Sequence, residues 1–160
     1  MMPLTSSTYS GLGDQVKATL GHMNRLMNEW SQDVNLIRLA RWIVSGCNDR
    51  EAEAETVRLW VKSEIEYRMD PADHELLQDP IVTLSERAGD CDDMATLAGA
   101  LLRAVGHPCH ALGVTWAGQE GPTHAVVYDE AAGVVVDPVA WVDVASWPPS
   151  PHVVAGFEGA

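Results

Sequence analysis

Residues 91–105 place the tightest limit on the fold. They read Cys-Asp-Asp-Met-Ala-Thr-Leu-Ala-Gly-Ala-Leu-Leu-Arg-Ala-Val, and beyond Asp93 only Arg103 is charged. Wound as a helix, Met94, Leu97, Ala98, Leu101, Leu102 and Val105 form a broad apolar face that other elements must cover. This helix is therefore predicted to be central. Its ends are marked as well. Asp90 suits the N-cap, with Asp93 at the third helical position. Gly89 permits a tight approach into the first turn, and Gly106 stops the helix.

Three helices are expected before it. Residues 14–30 carry Val16, Leu20, Met23, Leu26, Met27 and Trp30 at helical spacing. Asp33 caps a second helix through Val44, with Leu36, Ile37, Leu39, Ala40 and Ile43 inside and Gly46 ending it as a left-handed residue. Asp49 begins a third over 50–67, with Ala54, Val57, Leu59, Trp60, Val61 and Ile65 facing inward. Met69-Asp70-Pro71 breaks it, and residues 70–86 read as a long connection forming one wall of a cleft. After Pro108 the pattern turns to strands, over 110–117, 123–129 and 133–138. Residues 1–13 and 147–160 are expected to be loosely ordered. Helices followed by a small antiparallel sheet give an α+β fold, and 160 residues suit a single domain, 1–160.

Composition narrows the function. The formal charge is −13, from 23 acidic and 10 basic residues, so a surface of this kind repels phosphate backbones and nucleic acid is not an expected partner. No apolar run approaches the roughly 20 residues a membrane helix needs, and no membrane partner is expected. The opening Met1-Met2-Pro3-Leu4-Thr5-Ser6-Ser7 lacks the basic and apolar blocks of a signal peptide, which points to a cytoplasmic location. The three cysteines, Cys47, Cys91 and Cys109, are odd in number and form no CxxC, which argues for reduced thiols. Cys47 and Cys109 are read as packing residues.

Cys91 differs, because it would sit in the first turn of a helix. There the terminal N–H groups and the helix dipole favour the thiolate. Thr123-His124-Ala125 and Val136-Asp137-Pro138 supply a base and an orienting carboxylate from the two last strands. With the hairpin centred between Glu130 and Ala131, paired positions sum to 261, and 124 + 137 meets that sum. Directly paired residues have Cβ atoms about 4.5–5.5 Å apart, close enough for Asp137 to hold the imidazole Nδ1–H. Cys91 is then the nucleophile, His124 its base, and Asp137 the residue fixing the ring. The Cys91 backbone N–H could serve a developing oxyanion, with Gln78 or Tyr67 as candidates for the second donor. Against this stand Asp90, Asp92 and Asp93, whose charge raises the thiol pKa beyond what about half a positive dipole charge offsets. The His124 imidazolium must therefore dominate, and without it the thiol would be inert.

Blander readings compete. A cysteine on a buried helix is commonly structural, and an Asp-Pro commonly starts a turn. His107, Cys109, His110 and Cys91 could donate to zinc, but His107-Pro108-Cys109-His110 has no standard ligand spacing. The Asp90/Asp92/Asp93 run does not follow a calcium-loop pattern. No metal or cofactor is expected.

Taken together, Arg87-Ala88-Gly89-Asp90-Cys91-Asp92-Asp93-Met94-Ala95-Thr96-Leu97 and Ala100-Leu101-Leu102-Arg103-Ala104-Val105-Gly106 resemble the cysteine segment of the transglutaminase-like superfamily. Thr123-His124-Ala125-Val126-Val127 is similar to its histidine strand, Val136-Asp137-Pro138 to its aspartate strand, and Ile65-Glu66-Tyr67-Arg68-Met69-Asp70-Pro71 to the segment preceding the cysteine loop in bacterial and phage members. The resemblance covers about residues 57–138. It implies a papain-like core, with the cysteine on a central helix against an antiparallel sheet. It also implies acyl-transfer chemistry at an amide, carried by Cys91, His124 and Asp137. Compact members of this kind resemble bacteriophage proteins, which implies a host-cytoplasm or virion setting and phage structural proteins as partners beside a peptide or protein substrate. Two functions follow as expectations. One is a thiol hydrolase, with transamidation as a variant; the other is a catalytically silent virion-assembly or interaction module on the same fold.

Overall fold

The computed structural model describes residues 5–6, 14–71, 76–115, 124–139 and 152–155. The chain runs β1 (Thr5–Ser6), α1 (Asp14–Trp30), α2 (Val34–Ile43), α3 (Arg50–Glu64), β2 (Glu66–Tyr67), α4 (Pro80–Glu86), β3 (Ala88–Gly89), α5 (Cys91–Ala104), β4 (Cys109–Thr115), β5 (His124–Asp129), β6 (Val134–Val136) and β7 (His152–Ala155). Ten consecutive residues of α5, Asp93 to Leu102, are buried. They are covered by α1, α2, α3 and α4 and by β4 and β5 of the sheet. The helix that the sequence made too apolar for a surface is the centre of an α+β fold.

The helix starts follow their caps. Asp33 accepts from the N–H groups of Asn35 at 2.9 Å and Leu36 at 3.0 Å, and Asp49 from Ala52 at 2.8 Å. The α1 stripe is inside as expected, with Leu20, Met23, Leu26 and Met27 all buried. On α3, Ala54, Val57 and Val61 are buried, while Leu59 is 47% exposed and does not face the core as expected. Gly46 does not end α2 as a left-handed residue; the helix stops at Val44, whose φ is −94°.

Two larger departures concern the approach to α5. The third helix ends at Glu64, not 67, because Glu66 and Tyr67 pair in parallel with Ala88 and Gly89. Glu66 N–H donates to Arg87 O and Arg68 N–H to Gly89 O, each at 2.8 Å. A pairing across more than twenty residues overrides a helix-compatible local sequence. The connection 70–86 also contains a helix, α4, with Pro80 at its first turn, where the absent N–H costs nothing. Gly89 is required for space: a Cβ there would lie 2.7 Å from Asp93 Cβ.

The five-stranded sheet has the order β1-β7-β4-β5-β6. It is antiparallel except where β1 and β7 run parallel. The expected loose segments thus contribute two short strands, Thr5–Ser6 and His152–Ala155, while residues 147–151 lie outside the described residues. In the β5–β6 hairpin, Val127 pairs with Val136 and Asp129 with Val134. Pairs therefore sum to 263, not 261. The turn is centred one residue later because Asp129 accepts from the N–H groups of Ala131 and Ala132, and Gly133, at φ 68°, closes a loop of residues 130–133. The correction moves the partner by two positions, so His124 and Asp137 remain on one face as diagonal neighbours.

Candidate active site

Cys91 is the first residue of α5, and the local sequence fixes it there. Asp90 caps the helix by accepting from the N–H groups of Asp92 at 3.1 Å and Asp93 at 3.2 Å. Asp93 Oδ2 accepts the Asp90 N–H in return at 3.1 Å, completing the capping box read from the sequence. The Cys91 Sγ–H donates to Asp92 Oδ1 at 3.5 Å. Burial pushes the thiol well above its ordinary range, Asp92 and Asp90 add to this, and the backbone N–H of Ala125 acts in the opposite sense. That last contact sets the sulfur against the first residues of β5.

His124 is the neighbour of Ala125 on that strand. Its Nε2 lies 2.7 Å from Asp137 Oδ2, and the Asp137 side chain is fully buried. Asp137 Oδ1 accepts the Val139 N–H at 3.2 Å, so the carboxylate is itself held in place. The expected ring nitrogen is corrected here: Asp137 binds Nε2, not Nδ1. The three residues singled out by the sequence sit where α5, β5 and the segment after β6 converge.

A carboxylate cluster lies at the start of α5. One oxygen each of Asp70, Asp90 and Asp93 lie within 4.8 Å of one another. Burial and the neighbouring Asp93 push Asp90 up to about 7, and burial raises Asp93. Backbone amides take up these oxygens: Leu76 N–H reaches Asp70 at 3.0 Å and Gln78 N–H reaches Asp93 at 2.7 Å. The cluster thus fastens loops as well as capping the helix. Burial pushes Tyr67 up to about 12, with Cys91, Asp90, Asp92 and Asp70 adding to it.

The zinc arrangement is not formed. His107 is held by Asp129 at Nδ1 (2.5 Å) and Glu53 at Nε2 (2.7 Å), and Cys109 Sγ is directed at Gly99 O (3.5 Å). Cys91 lies at the other end of a 14-residue helix, roughly 20 Å away by helical rise. The sequence reading missed the two carboxylates on His107 and the Asp93–Gln78 contact. Neither has a local signal.

No curated protein is similar enough to count as a relative. Among solved structures, a candidate cysteine protease from Cytophaga hutchinsonii superposes with a TM-score of 0.58 at 19% identity, over 92% of this chain and 49% of that one. A candidate protease from Parabacteroides distasonis superposes with a TM-score of 0.59 at 17% identity, over 74% of this chain and 25% of that one. The chain spans about half of the first and a quarter of the second, and at these identities the likeness is one of fold. The family model of the transglutaminase-like superfamily matches residues 37–147 and so takes in Cys91, His124 and Asp137. By that match, the chain belongs to the transglutaminase-like superfamily.

Proposed function

We propose that the protein is a cysteine-dependent acyl-transfer enzyme that hydrolyses a peptide or side-chain amide through Cys91, His124 and Asp137. The observation that carries this reading is the His124 Nε2–Asp137 Oδ2 bond of 2.7 Å, one residue from the Ala125 N–H that faces the Cys91 sulfur. Asp137 fixes the orientation of the ring. Nδ1 takes the thiol proton, and the thiolate adds to the amide carbonyl carbon. The carbonyl electron pair moves to oxygen, where the Cys91 backbone N–H at the helix start can receive it. Collapse expels the amine, protonated by His124. Water then attacks the thioester and returns the free thiol; an amine in place of water would give transamidation.

The raised thiol pKa sets a condition on this sequence. In the free protein the sulfur is protonated and donates to Asp92. Proton transfer to His124 therefore accompanies substrate binding, which displaces the thiol from Asp92. The buried, acid-flanked thiol is also what favours a second reading, a catalytically silent interaction module on the same fold. A phage origin, a virion or host-cytoplasm setting and phage structural proteins as partners belong to both readings as proposals. Iodoacetamide labelling across pH, followed by peptide mapping, separates the two. Selective labelling of Cys91 well below pH 8, lost in His124→Ala, supports the enzyme. Slow labelling with an ordinary thiol profile, unaffected by His124→Ala, supports the module.

A further inference from the structure

Large apolar side chains stand in water where the chain passes the turn that carries Cys91. Met69 is 75% exposed and Leu76 66%, and Ile81 and Val82 lie on the outer side of α4. Four of the seven large apolar side chains exposed among the described residues thus fall within residues 69–82. Scattered singly they would need no explanation, but gathered on one stretch they mark a binding surface. Two bonds tie that stretch to the cysteine turn. Leu76 N–H donates to Asp70 at 3.0 Å, and Asp70, Asp90 and Asp93 each have an oxygen within 4.8 Å of the others. Gln78 N–H donates to Asp93 at 2.7 Å. Asp93 is two residues past Cys91, about 3 Å of helical rise. Extended peptide advances roughly 3.3 Å per residue, so a chain held at the sulfur reaches this surface within a few residues. Asp79 stands among the apolar groups. It is the N-cap residue of α4 and is exposed, yet its carboxylate makes no capping bond and, among the described residues, no ion pair.

We propose that residues 69–82 are the docking surface for the substrate, and that the substrate is a polypeptide segment with large apolar side chains next to a lysine or arginine. The proposal rests on the acyl-transfer reading above and adds the substrate class to it. Met69, Leu76, Ile81 and Val82 remove the apolar side chains from water. Asp79 meets the cation that lies between them. The formal charge of −13 acts in the same sense, drawing in a basic segment and repelling an acidic one.

Peptides that carry their own alkylating group test this. An iodoacetyl cap is placed on the N-terminus of Leu-Lys-Leu or on the side chain of a lysine added at its C-terminus, so that both chain directions are covered. The Cys91 sulfur displaces iodide and forms a thioether. Each labelling rate is divided by that of iodoacetamide, which cancels the intrinsic reactivity of the thiol. Leu-Lys-Leu is expected to label Cys91 about tenfold faster than Ser-Glu-Ser, as partial burial of an apolar side chain gives. The double substitution Leu76→Ser, Ile81→Ser should remove most of that preference, and Asp79→Asn should reduce it about two- to threefold, the scale of an exposed ion pair. Equal rates for the two peptides, or a preference unchanged in the double variant, overturn the docking surface and leave the acyl-transfer reading standing. A wild-type dimer in sedimentation equilibrium that the double variant dissociates does the same, because a second copy then covers the patch. A Cys91 that reacts with neither iodoacetamide nor the peptides overturns the acyl-transfer reading and this proposal with it.

Discussion

His107 is expected to hold the hairpin as a buried cation, and its removal tests that directly. Each ring nitrogen faces a carboxylate, Asp129 at 2.5 Å and Glu53 at 2.7 Å. Ionised carboxylates only accept, so both nitrogens must carry hydrogen and the ring is an imidazolium. Burial lowers its pKa, but the bonds to Asp129 and Glu53 outweigh this and the net shift is upward from 6.5. Arg50 opposes the cation weakly while bonding Glu53 and Val105 O. A raised histidine stabilises the fold fully below its unfolded value of 6.5, and the contribution is lost as pH rises through the folded value. His107→Gln leaves both Asp129 and Glu53 without their charged partner. Breaking a buried pair costs about 3–5 kcal/mol; with Glu53 one-fifth exposed the lower end applies, about 3 kcal/mol. In a chain of this size that lowers Tm by roughly 6–12 °C. Calorimetry at pH 6.5 and pH 9 is the assay. The wild-type advantage should be large at the lower pH and shrink at the higher. A His107→Gln protein melting with wild type at pH 6.5, or sharing its alkaline slope, refutes the reasoning.

Cys91→Ala should abolish amide turnover with Tm unchanged, and Asp137→Asn should retain binding yet lose about 10⁴ in kcat, read by steady-state kinetics. Asp90, raised to about 7, binds a proton more tightly folded than unfolded, so stability should fall as pH climbs from 4 to 7; urea midpoints should show a flatter profile for Asp90→Asn, which keeps a capping oxygen. Gly89→Ala puts a carbon 2.7 Å from Asp93 Cβ and should cost about 1–3 kcal/mol in urea unfolding, as overpacking does.

What the sequence disclosed and what it withheld divide by distance along the chain. The caps at Asp33, Asp49 and Asp90 were legible because a cap is written within three or four residues. The face shared by His124 and Asp137 was legible because strand alternation preserves it under a two-position shift. The register was not, since it depends on Asp129 and Gly133 shaping the turn. Three features escaped entirely: the β2–β3 pairing, the Asp93–Gln78 bond across 15 residues, and the His107–Glu53 bond across 54. Each is made by folding and leaves no periodic trace. The helix α4 escaped for another reason. Seven residues, the first a proline, are too few to establish a period.

The sulfur rides on a helix and the imidazole on a strand, so two packed layers meet at the chemistry. Slippage between those layers, such as a methyl group removed deep under Met94 or Val127 would allow, would register as altered thiol reactivity. A melting curve would fall by a few degrees in the same variant. The cysteine is in this sense a built-in strain gauge for the whole interior.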